Sequence, residues 1–233
     1  MRTALFVVLL LVFIVCSCDE RVEFIGPPAP SQKLLRKAYK DKRPSGQAVQ
    51  YAILINGAAE NRFFADLSVA YQVLLESGFL RENIYILDAK EQDWHWYPID
   101  GRAMSHNIVF IFHRLKQILN RQDMLFVLVT DHDNRIPESR AFTIQLVDRT
   151  IDQKEFARHI DGLNPKIAIF LFDQCYSGGF AKEIGNGKNV AVASTLENSK
   201  AHSMIYDIFR RVLYARISRY RNIRYKQGQQ GKH

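Results

Sequence analysis

Three runs of this chain are apolar at nearly every position, and each ends on polar groups. Tyr51-Ala52-Ile53-Leu54-Ile55 stops at Asn56-Gly57, Met124 to Thr130 stops at Asp131-His132, and Lys166 to Phe172 stops at Asp173-Gln174-Cys175. A strand with one wet face alternates apolar and polar residues. A strand without alternation is buried on both faces, as in a parallel sheet covered by helices. Asn83 to Asp88 and Asn189 to Ala193 read as two further strands, and Phe142 to Val147 alternates like a small hairpin arm. Between the strands lie helical patterns. Leu67, Ala70, Val73 and Leu74 share one face of Asp66 to Ser77, which Gly78 stops, and Ile108, Phe112, Leu115 and Leu119 share another. Asp152 caps a helix with Glu155 three residues on, flanked by Ile151 and Phe156 at staple positions. Ile205, Phe209, Val212, Arg216 and Tyr220 trace a last helix. The expected fold class is therefore α/β, a mostly parallel central sheet with helices on both faces in three layers. In such a sheet, chemistry gathers beyond the carboxyl ends of the strands.

The ends of the chain read differently. Arg2, the apolar run Ala4 to Val15 and a small residue before Cys18 have the form of an export signal over residues 1–18, too short for a comfortable membrane span. Val15-Cys16-Ser17-Cys18 resembles a bacterial lipobox, with Cys18 as the lipidated residue. That implies a lipid-anchored protein of the bacterial cell envelope, facing the periplasm or the exterior; soluble secretion is the alternative. Residues 19–48, with Pro27, Pro28, Pro30 and Pro44, read as a tether, residues 49–220 as the folded domain and 221–233 as a basic tail.

The net charge of +8 would suggest nucleic acid, but it is local. From Ile208 onward the chain carries Arg210, Arg211, Arg216, Arg219, Arg221, Arg224, Lys226 and Lys232 and no acid, so everything before is neutral on balance. Nucleic acid is not an expected partner. The tail is suited to anionic lipid beside an anchor.

Of three cysteines, Cys175 is the one left as a thiol after export and lipidation. A cysteine nucleophile needs a base to generate its thiolate and backbone donors for the oxyanion. Cys175 follows one buried strand, and His132 follows another. If those strands are neighbours, both side chains open onto one rim. Ser177-Gly178-Gly179 leaves room there for a substrate backbone. The chain has six other histidines, and no cluster has metal-ligand spacing, so no metal or other cofactor is expected.

The blocks Thr130-Asp131-His132 and Asp173-Gln174-Cys175-Tyr176-Ser177-Gly178-Gly179 resemble the histidine and cysteine motifs of legumain-type peptidases of the caspase-like clan. Asn56-Gly57, Arg62, Ala65-Asp66 and Ala70-Tyr71-Gln72 resemble that family's amino-terminal block, and Val192 to Ser203 resembles one wall of its specificity pocket. The resemblance spans about residues 50–205. It implies a caspase–hemoglobinase-like fold and cysteine endopeptidase activity on a peptide or protein substrate. His132 and Cys175 are then catalytic, the backbone N–H groups of Asp133 and Cys175 bind the oxyanion, and Arg62, Asp173 and Ser194 line the substrate pocket. Arg62 facing Asp173 would bind both ends of an asparagine amide. Two departures stand out: Asp133 replaces the family's glycine, and Glu60 stands at the histidine-orienting asparagine. They leave open a catalytically inactive peptide-binding module, or an anchored interaction protein that works through its tail.

Overall fold

The computed structural model describes residues 28–40, 46–90, 97–132, 141–185 and 187–198. The signal with Cys16 and Cys18, Asp133, and the last helix and tail therefore lie outside the described residues.

Six strands form the central sheet: β1 (Gln50–Asn56), β2 (Ile84–Asp88), β3 (Gly101–Arg102), β4 (Met124–Thr130), β7 (Ile167–Asp173) and β8 (Asn189–Ala193). Their order is β3-β2-β1-β4-β7-β8, and every pairing within this sheet is parallel. A two-stranded antiparallel hairpin, β5 (Thr143–Gln145) and β6 (Thr150–Asp152), stands apart from it. The chain builds outward from β1 to β3, then returns to the other side of β1 with β4. The order thus reverses between β1 and β4, where parallel sheets open a crevice at their carboxyl ends.

Alternate side chains of β1 go to opposite cores. Tyr51, Ile53 and Ile55 pack into a cluster with Leu34 of α1 (Gln32–Lys40), Ile108 and Phe112 of α3 (Ser105–Ile118), Phe156 of α4 (Gln153–Ile160) and Phe180 of α5 (Gly178–Ile184). Ala52 and Leu54 pack against Leu67, Ala70 and Leu74 of α2 (Asn61–Glu76). The molecule is therefore an α/β three-layer sandwich, as the unalternating strands require. No described helix is long and apolar enough to cross a membrane.

Two features lay beyond pattern reading. Helix α1 falls within the stretch expected to be a tether. It is docked on the domain through buried Leu34 and Ala38, and the Lys37 ammonium donates to Ile84 O and pairs with Asp100 at 2.8 Å. Arg81 binds the same carboxylate at 3.0 Å, so Asp100 joins α1 to the β2–β3 edge. Asp148, in the hairpin turn, accepts from Ser105 N at 2.9 Å and from its hydroxyl at 2.5 Å. A carboxylate from another element thereby supplies the cap that α3 lacks in its own Met104. The cap foreseen at Asp152 is formed, with Glu155 N donating to Oδ1 at 2.7 Å.

The carboxyl ends of four strands carry a buried polar row. Asp88, Asn56, Thr130 and Asp173 are in register across β2, β1, β4 and β7, and each is almost wholly buried. Asp66 of α2 accepts from Thr130 Oγ1 at 3.1 Å, and Tyr97 donates to Asp88 at 3.0 Å. Burial raises the Asp88 carboxyl above the ordinary carboxylate range, against the bonds from Lys90, Tyr97 and Asn56.

Phe156 is the hub of the larger core. It is fully buried and makes edge contacts with Phe112, Phe170, Phe172 and Phe180 at centroid distances of 5.6, 6.5, 5.7 and 6.1 Å. Phe156→Ala should lower the unfolding free energy by about 3–5 kcal/mol in denaturant titration, because the cavity opens at a junction of three helices and a strand. A loss below about 1 kcal/mol would show that the cluster is not packed this way.

Candidate active site

Residues Thr130 of β4 and Asp173 of β7 are paired in neighbouring parallel strands. His132 and Cys175 each lie two residues beyond that pair, so both emerge at the same level of the carboxyl edge. Strands in a sheet are about 4.8 Å apart. The side chain of His132 is 38% exposed, and Cys175 is a half-buried thiol. Neither residue is fully buried.

The His132 ring is held from the β1–α2 side. Its Nε2 hydrogen-bonds Glu60 Oε1. Arg62 Nη2 lies 3.2 Å from Nδ1 and 3.3 Å from Nε2, while Arg62 Nε pairs with Glu60 Oε2 at 3.1 Å. Phe63 meets the ring edge-on at 5.1 Å and carries the Arg62 guanidinium over its own face at 4.3 Å. The ring's hydrogen-bonding partners among the described residues are thus Glu60 and Arg62. The register brings thiol and imidazole to one edge without joining them. With Nε2 donating to Glu60, Nδ1 is the nitrogen that accepts from Arg62. The His132 bond, aided by the charges of His132 and Arg62, holds the Glu60 carboxyl below its ordinary value against a smaller opposing effect of burial.

Sequence reasoning expected Arg62 to face Asp173 across a pocket. In the structure Arg62 turns to Glu60 and His132. Glu60 precedes Arg62 by two residues at the entry to α2, and the flat guanidinium is satisfied there by a carboxylate and an aromatic face. Asp173 is 3% exposed at the end of β7. Ser194, expected on the pocket wall, lies with its hydroxyl 3.4 Å from Ser177 Oγ and 3.5 Å from Gln174 O. It braces the cysteine loop.

That loop is built tightly. Tyr176, directly after Cys175, has φ +55°, the one positive φ among the described non-glycine residues. Such backbone is costly for a bulky residue and persists where surroundings impose it. Fully buried Ser177 accepts from Thr195 N at 3.2 Å and shares a bond with the Thr195 hydroxyl at 3.2 Å. Gln174 donates to Thr143 O of the hairpin at 3.2 Å. The two glycines make room for the protein itself. A Cβ on Gly178 would sit 2.5 Å from Glu197 N, and one on Gly179 2.0 Å from the Phe142 ring. The space read as room for substrate is filled by the hairpin and by residues 195–197.

The Glu60–Arg62 clamp, the hairpin brace and the Ser177–Thr195 bonds were all missed from sequence. The adjacent glycines were the one local signal of close approach, and its object was misread. Among the described residues no group of three histidine, cysteine or carboxylate side chains could hold a metal ion.

Comparisons with known proteins add little to this geometry. No protein family matches the chain, and no curated protein matches it. Among solved structures, the crystal structure of protein GSU0716 from Geobacter sulfurreducens is similar over 73% of this chain and 65% of its own length, at 15% identity and a TM-score of 0.43.

Titrating the Glu60 carboxyl by carbon NMR should give a midpoint below 4.5. The depressed value belongs to the folded state, so the clamp's contribution to stability is present above the unfolded pKa and is lost as pH falls through the folded one. His132→Ala should return the midpoint toward 4.5. An unchanged midpoint in that variant would mean that the two groups are not joined.

Proposed function

We propose that this chain is a cysteine endopeptidase of the envelope, with Cys175 as nucleophile and His132 as base, exported through residues 1–18 and lipid-anchored at Cys18. The observation that supports it most is the β4–β7 register, which sets the two side chains at one level beyond adjacent strands. In the reaction, imidazole takes the thiol proton and the thiolate attacks the substrate carbonyl. The N–H groups of Cys175 and Asp133 receive the oxyanion, imidazolium returns the proton to the leaving amine, and water hydrolyses the thioester. Before the proton moves, the ring must turn from the Glu60–Arg62 clamp toward sulfur, a side-chain rotation that substrate binding can drive. Asparaginyl specificity carries a further requirement, that Arg62 release Glu60 to face Asp173. A peptide-library cleavage profile reads that directly.

A second reading is favoured by the clamp itself. With His132 engaged by Glu60 and Arg62, the chain would be a peptide-binding module that retains the groove without turnover.

An electrophilic peptide probe separates the two. The active enzyme forms a covalent adduct at Cys175, detected by mass spectrometry. Cys175→Ala abolishes both adduct and peptide hydrolysis with stability nearly unchanged, and His132→Ala slows labelling by about a hundredfold or more. A folded parent chain that forms no adduct at Cys175 rules out the peptidase in favour of the binding module.

A further inference from the structure

The sheet edge opposite His132 and Cys175 holds a cleft of about 1200 Å³. It lies between α4, α5 and the loops that enter β7 and β8, about 20 Å from the carboxyl edge across a seven-residue strand. Its floor is apolar, with Ile160, Phe170 and Ile184, while Arg121, Lys154, Arg158, Lys166 and Lys188 converge on its walls against only two carboxylates, Asp161 and Glu183. All five cations are exposed. Arg121, Lys154, Arg158 and Lys166 take part in none of the ion pairs among the described residues. Elsewhere on the domain, Lys37 and Arg81 share Asp100, Arg149 pairs with Glu155, and Lys182 reaches Glu197.

Helix dipoles account for little of this. Arg158 complements the carboxyl end of α4, but Lys154 stands in the first turn of the same helix, where a cation opposes the dipole. Arg121, Lys166 and Lys188 come from loops. Like charges gathered in a concave wall focus positive potential and repel one another until an anion neutralises them. Guanidinium groups match phosphate oxygens in pairs, and ammonium groups supply point charges around them.

We propose that this cleft binds a phosphate-bearing ligand, through Arg121, Lys154, Arg158 and Lys166, with the apolar floor taking its uncharged part. The chemistry is common to a phospholipid headgroup and to a soluble phosphorylated molecule. The inference does not depend on the peptidase reading, since it uses the other end of the sheet.

Two arms on the full chain test it: calorimetric titration with sodium tripolyphosphate, and co-sedimentation with phosphatidylcholine vesicles containing phosphatidylglycerol. Each is run on the parent, on Lys154→Glu with Arg158→Glu, and on Arg221→Glu with Arg224→Glu as a control for the basic tail. The first double variant should weaken binding about tenfold or more, and the tail variant should not reproduce that loss. A loss with tripolyphosphate alone identifies a soluble ligand; a loss on vesicles identifies a headgroup. Lys154→Glu places an acid where α4 favours one and offsets Arg158→Glu at the other end, so folding should hold. If circular dichroism shows otherwise, Arg121→Gln with Lys166→Gln replaces the pair. No binding by the parent in either arm, equal binding by parent and cleft variant, or a loss confined to the tail variant overturns the proposal.

Discussion

The pairing of Thr130 with Asp173 is the constraint on which the rest turns. Parallel neighbours with apolar residues on both faces cannot slip by one residue without driving a whole apolar set to the wrong core. Val127, Val129, Phe170 and Phe172 commit one side of β4 and β7 to the larger cluster, and Phe126, Leu128, Ile169 and Leu171 commit the other. The register is thus set by burial along seven pairs. The level at which His132 and Cys175 leave the sheet follows from it. The placement of these two loop tips is set by hydrophobic packing several residues away.

The two loops beyond the strands are held by contacts from several elements. The cysteine loop, with its left-handed Tyr176, is braced from the hairpin through Gln174 and Phe142 and from residues 194–197 through Ser177 and Gly178. The hairpin is itself fixed to α3 by Asp148 and to the β1–α2 loop, where a Cβ on Gly57 would strike Gln145 O at 1.8 Å. One short arm therefore touches the loops that follow both β1 and β7. The histidine side is held differently, by the exposed charges of Glu60 and Arg62. Exposed pairs are weak. The cysteine loop is thus held by buried backbone contacts, and the His132 ring by exposed charges.

Much of this was legible in the sequence, because buried parallel strands announce themselves as unbroken apolar runs. β1, β4 and β7 lie where those runs lie, β2 and the half-exposed β8 lie where shorter runs were read, and the Asp152 cap and the hairpin arm follow from local chemistry. The unread parts share a physical cause: they depend on partners distant in sequence. Helix α1 sits behind prolines and charges, and its docking rests on Lys37 reaching Asp100. Helix α2 begins at Asn61, earlier than its apolar face suggested, because its first turn carries Arg62 and Phe63 to the site. Arg62 was assigned to Asp173 on resemblance, while a closer carboxylate stood two residues away. The two glycines gave the right signal, close approach, without naming what approaches.

The adjacency of the two loop tips can be measured without any substrate. In His132→Cys, two thiols would stand where imidazole and sulfur stand now, and a disulfide requires Cα atoms about 4.4–6.8 Å apart. Mild oxidation of the folded variant, followed by peptide mapping, should yield a 132–175 cross-link within one chain as the main product. A folded variant whose two thiols stay reduced, or join only between chains, would mean that these tips do not meet over the sheet.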